Sequence, residues 1–376
     1  MSKKIVLAGG GTAGHVNPLL ATALELRSRG YEVVALGTKQ GLETTLVPAA
    51  GIELVTIERV PLPRKPSLQF FTLPRRMKQA IAQCGSVLQG AQALVGFGGY
   101  VSTPAYLAAR KMGIPIIIHE QNARPGLANR VGARWASALG LTFPSTPLIA
   151  KQGITEVTGL PLRPAIQELA ATRSSEEGRV SAREQAASRL GIDPKMETLL
   201  ITGGSLGALN VNRAMIAAAA QLPPNVQVLH LTGKGKDQEV SQAVSAAGVA
   251  QRWHVIDYLS TMEDALAVAD LVVCRSGAGT VAEMTALGLP CVYVPLPIGN
   301  GEQKLNATDH VAHDGALLVA DSDLNANYVR EKIFPLLGSE ELQQMTQASR
   351  ALAHPYGALK LADLIESTLH GKKAEK

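Results

Sequence analysis

The stretch "LAGGGTAGHVNPLLATALELRSRG", residues 7–30, decides the fold, because an apolar strand runs into a glycine-rich turn and then into a helix. Gly9, Gly11 and Gly14 satisfy the spacing G-x-G-x-x-G that is typical of dinucleotide-binding turns. Such a turn aims the free N–H groups of a helix at the carboxyl edge of a parallel sheet, where phosphates bind. The stretch therefore predicts a Rossmann-like first domain with a phosphate site near its start.

The same strand, glycine-rich turn and helix recur in "ALVGFGGYVSTPAYLAARK" (93–111), "LLITGGSLGALNVNRAMIAAAA" (199–220) and "LVVCRSGAGTVAEMTALG" (271–288). Short apolar runs alternate with amphipathic segments of helix length along the chain, which indicates parallel sheets flanked by helices. We predict an α/β protein with two doubly wound domains, residues 1–162 and 163–345, whose phosphate sites face one cleft. Helices over residues 346–376 are expected to pack back on the first domain.

Composition predicts a folded globular protein. The 376 residues are 46% hydrophobic and 18% charged, which suits two domains. No apolar run approaches the ~18 residues of a membrane span, and the N-terminus lacks the apolar core of a signal peptide. Three scattered cysteines, Cys84, Cys274 and Cys291, are too few for a disulfide framework or a zinc site. We therefore expect a cytoplasmic location.

Charge is distributed unevenly. Residues 1–160 carry 17 Lys and Arg against 7 Glu, a net charge of +10, whereas the remainder carries 19 against 24, a net charge of −5. This asymmetry predicts an anionic partner for the N-terminal half. Nucleic acid is not expected, because no helix-turn-helix, zinc finger or RNA-binding aromatic motif occurs.

The segment "VPLPRKPSLQFFTLPRRMKQAI" (60–81) interleaves basic and apolar residues, which suits an anionic membrane surface. An ordinary helix with its apolar face in the core is the alternative. The basic residues are Arg64, Lys65, Arg75, Arg76 and Lys78, and the apolar ones are Leu68, Phe70, Phe71 and Leu73.

A nicotinamide site is disfavoured at the first turn. It requires a carboxylate at the end of the second strand for the ribose hydroxyls. That strand ends "VVALGTKQG" (33–41), without a carboxylate at its tip, and His15 directly follows the third glycine. The turn is therefore predicted to hold a diphosphate or a sugar.

Six motifs together resemble those of the MurG family of glycosyltransferases. They are "GGGTAGHVNP", "GFGGYVS", "HEQNARPGLAN", "GGSLGA", "RSGAGTVAE" and "EQKLNA", and they stand in the family's order between about residues 5 and 313. The resemblance implies the two-domain GT-B fold, with UDP-N-acetylglucosamine bound mostly by the C-terminal domain. The lipid acceptor is then expected to approach the N-terminal domain from the membrane.

The resemblance also implies the reaction, an inverting transfer of N-acetylglucosamine to the 4-hydroxyl of N-acetylmuramic acid on undecaprenyl-diphosphate-linked lipid I. The product is lipid II, a β-1,4-linked peptidoglycan precursor. The implied location is the cytoplasmic face of the cell membrane as a peripheral protein, and cell-wall synthesis and division proteins are candidate partners. Two alternatives remain open: transfer to another lipid or natural product, and a nucleotide-sugar 2-epimerase, which would convert its UDP-sugar without an acceptor.

Site residues follow from the same resemblance. Ala278, Gly279 and Thr280 open a helix that offers N–H groups to the UDP diphosphate, and Glu283 accepts the ribose hydroxyls. The other donor positions are Ser205 at the β-phosphate, Leu259 at the uracil, Arg163 at phosphate or sugar, and Gln303 and Asn122 at the N-acetylglucosamine hydroxyls. Thr12, Ala13 and Gly14 face the transferred sugar, and Gly11, Gly14, Gly98, Gly99 and Tyr100 face the acceptor diphosphate.

His15 is the candidate general base, because an imidazole with a pKa of about 6.5 can take a hydroxyl proton near neutral pH. The alternative is that His15 orients its helix or binds phosphate. Glu120 is the second candidate base, with a structural ion pair to an arginine as its alternative.

Neither a metal nor another cofactor is predicted. Asp321, Ser322 and Asp323 formally match the D-x-D metal motif of a different glycosyltransferase fold. They precede a helix, and we interpret them as helix capping. Helix N-termini and Arg163 are expected to neutralise the departing UDP instead.

Overall fold

Two parallel sheets organise the chain, each within its own compact unit of the computed structural model. Unit 1 comprises Met1–Arg163 and Tyr356–Lys376, and unit 2 comprises Pro164–Pro355. The structure describes residues 3–60, 69–204, 206–298 and 300–371.

Unit 1 contains a seven-stranded parallel sheet in the order β3-β2-β1-β4-β5-β6-β7. Its strands are β1 (Lys4–Ala8), β2 (Glu32–Thr38), β3 (Glu53–Ile57), β4 (Ala93–Gly96), β5 (Ile116–Glu120), β6 (Ala138–Leu141) and β7 (Ile154–Val157). Its helices are α1 (Ala13–Ser28), α2 (Glu43–Ala49), α3 (Gln69–Leu88), α4 (Ser102–Met112), α5 (Leu127–Gly132) and, at the C-terminus, α16 (Gly357–Gly371).

Helices cover both faces of this sheet, which explains why its strands are nearly continuous apolar runs. Ile5 and Leu7 of β1 pack in one core with side chains of α1 and α16. Val6 and Ala8 point to the opposite face and pack with α3 and α4. From β1 the chain continues to β2 and β3 on one side of β1, and it then crosses to β4 on the other side. The strand order therefore reverses between β1 and β4, and ligands bind at this point in folds of this class.

Unit 2 repeats this plan with a six-stranded parallel sheet in the order β10-β9-β8-β11-β12-β13. Its strands are β8 (Glu197–Thr202), β9 (Val226–Leu231), β10 (Trp253–Ile256), β11 (Leu271–Cys274), β12 (Cys291–Tyr293) and β13 (Ala316–Leu318). Its α-helices are α6 (Pro164–Thr172), α7 (Glu176–Leu190), α8 (Leu209–Ala217), α9 (Asp237–Ala246), α10 (Met262–Val268), α11 (Ala278–Leu287), α12 (Glu302–Asn306), α13 (Thr308–Ala312), α14 (Ala326–Tyr328) and α15 (Glu340–Ala351). Short 3₁₀ and π turns cover Ala219–Gln221, Val329–Ile333 and Phe334–Leu336. The switch point of this sheet lies between β8 and β11.

The two C-terminal helices belong to different units. α15 packs against α11 inside unit 2, and only α16 packs against α1 in unit 1. The return to unit 1 therefore begins at Tyr356 and not at residue 346. The dipeptide His354-Pro355 separates the two helices, as a proline disfavours helix at the preceding residue.

The basic and apolar segment at 60–81 is helical from Gln69, where α3 begins. Leu73 packs against the core of unit 1, so for this residue the ordinary-helix alternative is correct. Arg76 pairs with Glu58 at 3.0 Å, whereas Arg75 and Lys78 are exposed. Arg64, Lys65 and Leu68 lie outside the described residues, as do the side chains of Phe70 and Phe71. Within the described part of the chain, every helix is too short or too polar to span a membrane.

Candidate active site

The predicted residues of unit 1, except Arg163, lie on the segments that leave three neighbouring strands, β1, β4 and β5. Gly11, Thr12, Ala13, Gly14 and His15 follow β1, Gly98, Gly99 and Tyr100 follow β4, and Glu120 and Asn122 lie at the end of β5. Since parallel strands end at the same edge, the fold brings these residues together at the switch point of the sheet. Arg163 is the last residue of unit 1 and is half-buried.

His15 occupies the first turn of α1, whose N-cap residue is Thr12. The imidazole is half-buried, and its Nδ1 lies 3.1 Å from the hydroxyl of the exposed Thr12. Its Nε2 faces the loop after β4, where a Cβ on Gly98 would lie only 3.2 Å from it. Gly98 also has φ +90, so glycine is required here both for the backbone and for the histidine ring.

Burial lowers the pKa of His15 below its ordinary value of about 6.5, although the Glu43 carboxylate and a hydrogen bond to the Gly10 backbone oppose this shift. The imidazole is therefore neutral at neutral pH. A neutral imidazole can accept a proton, as a general base must.

Glu120, the second candidate base, is engaged in structural hydrogen bonds. Its carboxylate is 1% exposed and accepts the N–H groups of Asn122 and Gly126 and the side-chain amide of Asn129, each at 3.0 Å. Burial raises the pKa of Glu120, and these donors oppose the rise. The arrangement holds the loop that carries Asn122, so Glu120 organises the loop through these bonds.

Unit 2 presents the start of α11 at the equivalent place, after the three-residue loop that follows β11. Ala278 begins the helix and Gly279 and Thr280 complete its first three positions, whose N–H groups have no acceptor within the helix. Apart from its chain neighbours and the backbone of its own helix, no described heavy atom lies within 4 Å of the position that a Cβ on Gly279 would take. The half-buried Glu283 lies one turn further along the helix. This combination of free N–H groups and an open approach suits a diphosphate.

The other residues predicted to bind the sugar nucleotide lie on different segments of unit 2. Gln303 lies on α12, and its side-chain oxygen accepts the N–H of Leu296 at 2.9 Å, which leaves its NH₂ group as a donor. Leu259 is partly buried in the loop after β10. Ser205 lies outside the described residues, between Gly204 and the 81%-exposed Leu206.

Comparison with known proteins gives consistent results for both units. Residues 5–140 match the N-terminal domain of glycosyltransferase family 28, and residues 198–364 match its C-terminal domain. The chain belongs to glycosyltransferase family 28. The GT-B fold and the resemblance to MurG that its motifs predicted are confirmed.

Three relatives of this family 28 chain are informative. A Bifidobacterium adolescentis protein named UDP-N-acetylglucosamine--N-acetylmuramyl-(pentapeptide) pyrophosphoryl-undecaprenol N-acetylglucosamine transferase is 51% identical over 357 residues, 90% of each chain. A Clavibacter sepedonicus protein of the same name is 45% identical over 370 residues, 97% of this chain and 96% of its own. The crystal structure of Acinetobacter baumannii MurG superposes with a TM-score of 0.78 at 28% identity, covering 97% of this chain and 99% of that one.

One residue of the family 28 chain that sequence reasoning missed is Glu43, the first residue of α2. It folds back onto the end of β2, and its completely buried carboxylate accepts the N–H of Gly11 at 2.7 Å and that of Thr38 at 3.0 Å. In the folded chain a carboxylate therefore does lie at the tip of the second strand, and the expectation that this tip lacks one is wrong. The oxygens of this carboxylate accept these backbone N–H groups and do not bind ribose hydroxyls.

Arg275, in the loop after β11, was also missed. Its guanidinium donates to the carbonyl oxygens of Val294 at 3.0 Å and Pro295 at 3.2 Å and pairs with Asp321 at 2.5 Å. The interpretation of Asp321 as a helix cap is therefore wrong. The cap of the following helix, α14, is Asn325, whose side chain accepts the N–H of Tyr328. Arg275 thus ties the segment that precedes α11 to two other segments of unit 2.

Proposed function

We propose that this chain transfers N-acetylglucosamine from UDP-N-acetylglucosamine to the N-acetylmuramic acid of lipid I and forms lipid II. The most direct support is the 51% identity over nine-tenths of the chain to a relative named for this reaction. The reaction needs a base for the acceptor hydroxyl and hydrogen-bond donors for the departing diphosphate, and the fold supplies both. Unit 1 carries a neutral imidazole at its switch point, and unit 2 carries open N–H groups at its own.

His15 acts as the general base in this proposal. Nδ1 of the ring lies 3.1 Å from the hydroxyl of the exposed Thr12, and in this proposal Nδ1 carries the lone pair that accepts the proton. The 4-hydroxyl of the acceptor gives its proton to Nδ1, directly or through the Thr12 hydroxyl. Its oxygen forms a bond to C1 of N-acetylglucosamine on the face opposite to UDP.

The bond between C1 and the UDP oxygen breaks as the new bond forms, so the anomeric configuration inverts. Negative charge then builds on the departing diphosphate. The first N–H groups of α11 stabilise this charge, since they are fixed donors at the positive end of a helix. Glu283 and Gln303 bind the ribose and the sugar and hold the donor in place, and Arg275 keeps the loop that leads into α11 in position.

Attachment to an anionic membrane surface is part of the proposal. Unit 1 contributes the excess of basic residues, and Arg75 and Lys78 on α3 are exposed. A lipid-linked acceptor is confined to a membrane, so binding of unit 1 to that surface brings the acceptor site to its substrate. We place the protein at the cytoplasmic face, with cell-wall synthesis and division proteins as its candidate partners.

The structure of the product tests the assignment. We expect incubation with UDP-N-acetylglucosamine and a short-chain lipid I analogue to give a disaccharide-linked lipid. Its anomeric proton coupling should show the β configuration, and a carbon–proton correlation across the glycosidic oxygen should show the 1,4 linkage. An analogue whose 4-hydroxyl is replaced by hydrogen should give no disaccharide. Epimerised UDP-sugar in place of the disaccharide would instead favour the epimerase alternative, and it would refute the transferase.

A further inference from the structure

Glu43 has no assigned part in the reaction, although its carboxylate lies beneath the loop that carries the candidate base. We propose that Glu43 is a positioning residue of the acceptor site: it fixes the loop after β1 by its hydrogen bond to Gly11 and so sets the place of the His15 imidazole. This inference rests on the proposed function, because the loop matters for catalysis only if His15 serves the acceptor.

The contacts of Glu43 connect two strand ends. One carboxylate oxygen, Oε2, accepts the N–H of Gly11 at 2.7 Å. The other, Oε1, accepts the N–H of Thr38 at 3.0 Å and its hydroxyl at 2.9 Å. Gly11 belongs to the loop after β1, and Thr38 is the last residue of β2. The side chain therefore links the end of β2 to the glycine-rich loop through hydrogen bonds.

The neighbouring glycines leave the space that this side chain occupies. A Cβ on Gly37 would lie 2.7 Å from Cγ of Glu43, and a Cβ on Gly10 would overlap its carboxylate. Both positions therefore need glycine because the glutamate fills the space, and the glutamate in turn makes the contacts that the loop backbone needs. A buried carboxylate without hydrogen bonds would be strongly unfavourable, so its three donors also hold it ionised.

Ionisation of Glu43 is favoured. Burial acts to raise the pKa of Glu43, but the hydrogen bonds from Gly11 and Thr38 outweigh it, and the pKa lies below its ordinary value. The negative charge of Glu43 on α2 acts to raise the pKa of His15. The loop after β4 faces the ring with the uncharged Gly98, and the amide of Asn129 on α5 lies close to the same glycine. Glu43 therefore influences His15 in two ways, through the loop and through its charge.

The variant Glu43→Gln distinguishes a role of Glu43 in catalysis from a role in folding alone. Both Gly11 and Thr38 present N–H donors, and an amide has only one oxygen to accept them, so its NH₂ group must face a donor. We expect kcat with the lipid I analogue to fall about tenfold to a hundredfold, since small displacements of a catalytic group have effects of this size. Binding of UDP itself should not change, because the residues expected to hold the nucleotide lie in unit 2 and are untouched.

The charge gives a second readout, which does not depend on activity. Removing a negative charge near an imidazole disfavours its protonated form. The NMR titration of His15, assigned with His15→Ala, should therefore move to lower pH in Glu43→Gln. A matched control is Asp264→Asn, which neutralises a buried carboxylate of α10 in unit 2 that pairs with Arg189. This variant should leave both kcat and the His15 titration unchanged.

Unchanged kcat and an unchanged His15 titration in folded Glu43→Gln would overturn the inference. If that variant does not fold, Glu43→Asp keeps the charge but draws the carboxylate away from the N–H of Gly11, and a wild-type kcat in this variant would equally overturn it. A wild-type protein without transfer to the analogue would refute the proposed function instead. The His15 titration would still report on Glu43 in that case, so the two failures are distinguishable.

Discussion

The environment of a single side chain decides whether His15 can be a base. Thr12 contacts one ring nitrogen, Gly98 leaves room for the other, and burial keeps the ring neutral. Glu120, which has a similar place at the end of the neighbouring strand, is instead surrounded by N–H donors. The two candidates from the sequence thus differ in what their neighbours allow, and this difference favours His15.

His15→Ala should lower kcat with the lipid I analogue by about 10² to 10⁴-fold, the usual contribution of a general base. The base is active when neutral and is lost as the pH falls through its pKa. Since that pKa lies below the ordinary value of about 6.5, the acidic limb of kcat/KM should lie below that pH. The limb should disappear in His15→Ala and persist in His313→Ala, which changes an exposed histidine of unit 2.

Glu283→Gln should weaken binding of UDP-N-acetylglucosamine about tenfold to a hundredfold. A hydrogen bond to a charged group contributes about 1.5–3 kcal/mol, and the carboxylate is expected to accept the ribose hydroxyls. Isothermal titration calorimetry measures the change, with Glu177→Gln, an exposed residue of α7, as the control. Equal affinity in both variants would remove Glu283 from the donor site.

At the scale of elements, helix α16 completes unit 1, although it begins 200 residues after the end of β7 in the chain. Leu361, Leu364 and Ile365 are buried with α1 and β1. Arg29, the C-cap residue of α1, also pairs with Asp363 at 2.6 Å and with Glu366 at 2.7 Å. The packed apolar face stabilises this arrangement, and the partly exposed ion pairs contribute less.

Leu361→Ala should destabilise unit 1 by about 2–5 kcal/mol, as expected for a large-to-small change in a core. Leu359→Ala, at a position that is 46% exposed on the same helix, should change stability by less than about 0.5 kcal/mol. Urea unfolding followed by Trp135 fluorescence in a Trp253→Phe background reports on unit 1 alone, because Trp135 is then the only tryptophan. A similar midpoint for both variants would contradict the packing of α16 described here.

Local patterns predicted most elements, and those they missed depend on distant contacts. The strands that are apolar runs were predicted as parts of parallel sheets, as the structure has them. β7 was not, because its residues are largely exposed and it pairs only with β6, at an edge. The domain boundary at residue 346 was misplaced, since α15 and α16 are both amphipathic and only their tertiary partners differ. Glu43 was missed for the same reason, as its partner Gly11 lies 32 residues earlier.

At the scale of the whole molecule, the two units carry different charge. The basic N-terminal half belongs to the unit with the acceptor residues, and the acidic remainder contains the donor unit. An anionic surface would attract the first and repel the second. Such a charge distribution would orient the molecule before any specific contact forms.

Arg75→Glu/Lys78→Glu should reduce binding to phosphatidylglycerol vesicles by about thirty-fold or more, since each cation near the headgroups contributes about 1 kcal/mol. Arg330→Glu/Lys332→Glu makes the same charge change at exposed residues of unit 2 and should have little effect. Co-sedimentation at low and physiological salt measures both. Phe70→Ser/Phe71→Ser tests the apolar part of the segment, and undiminished binding in the first and last variants would refute a membrane role for α3.

The release of UDP from UDP-N-acetylglucosamine, measured with and without a short-chain lipid I analogue, tests the central claim most directly. Release should be fast with the analogue and close to background without it. It should also fall sharply in His15→Ala, because the acceptor hydroxyl then lacks its base. Release at the same rate in the absence of the analogue would contradict the assignment of lipid I as the acceptor.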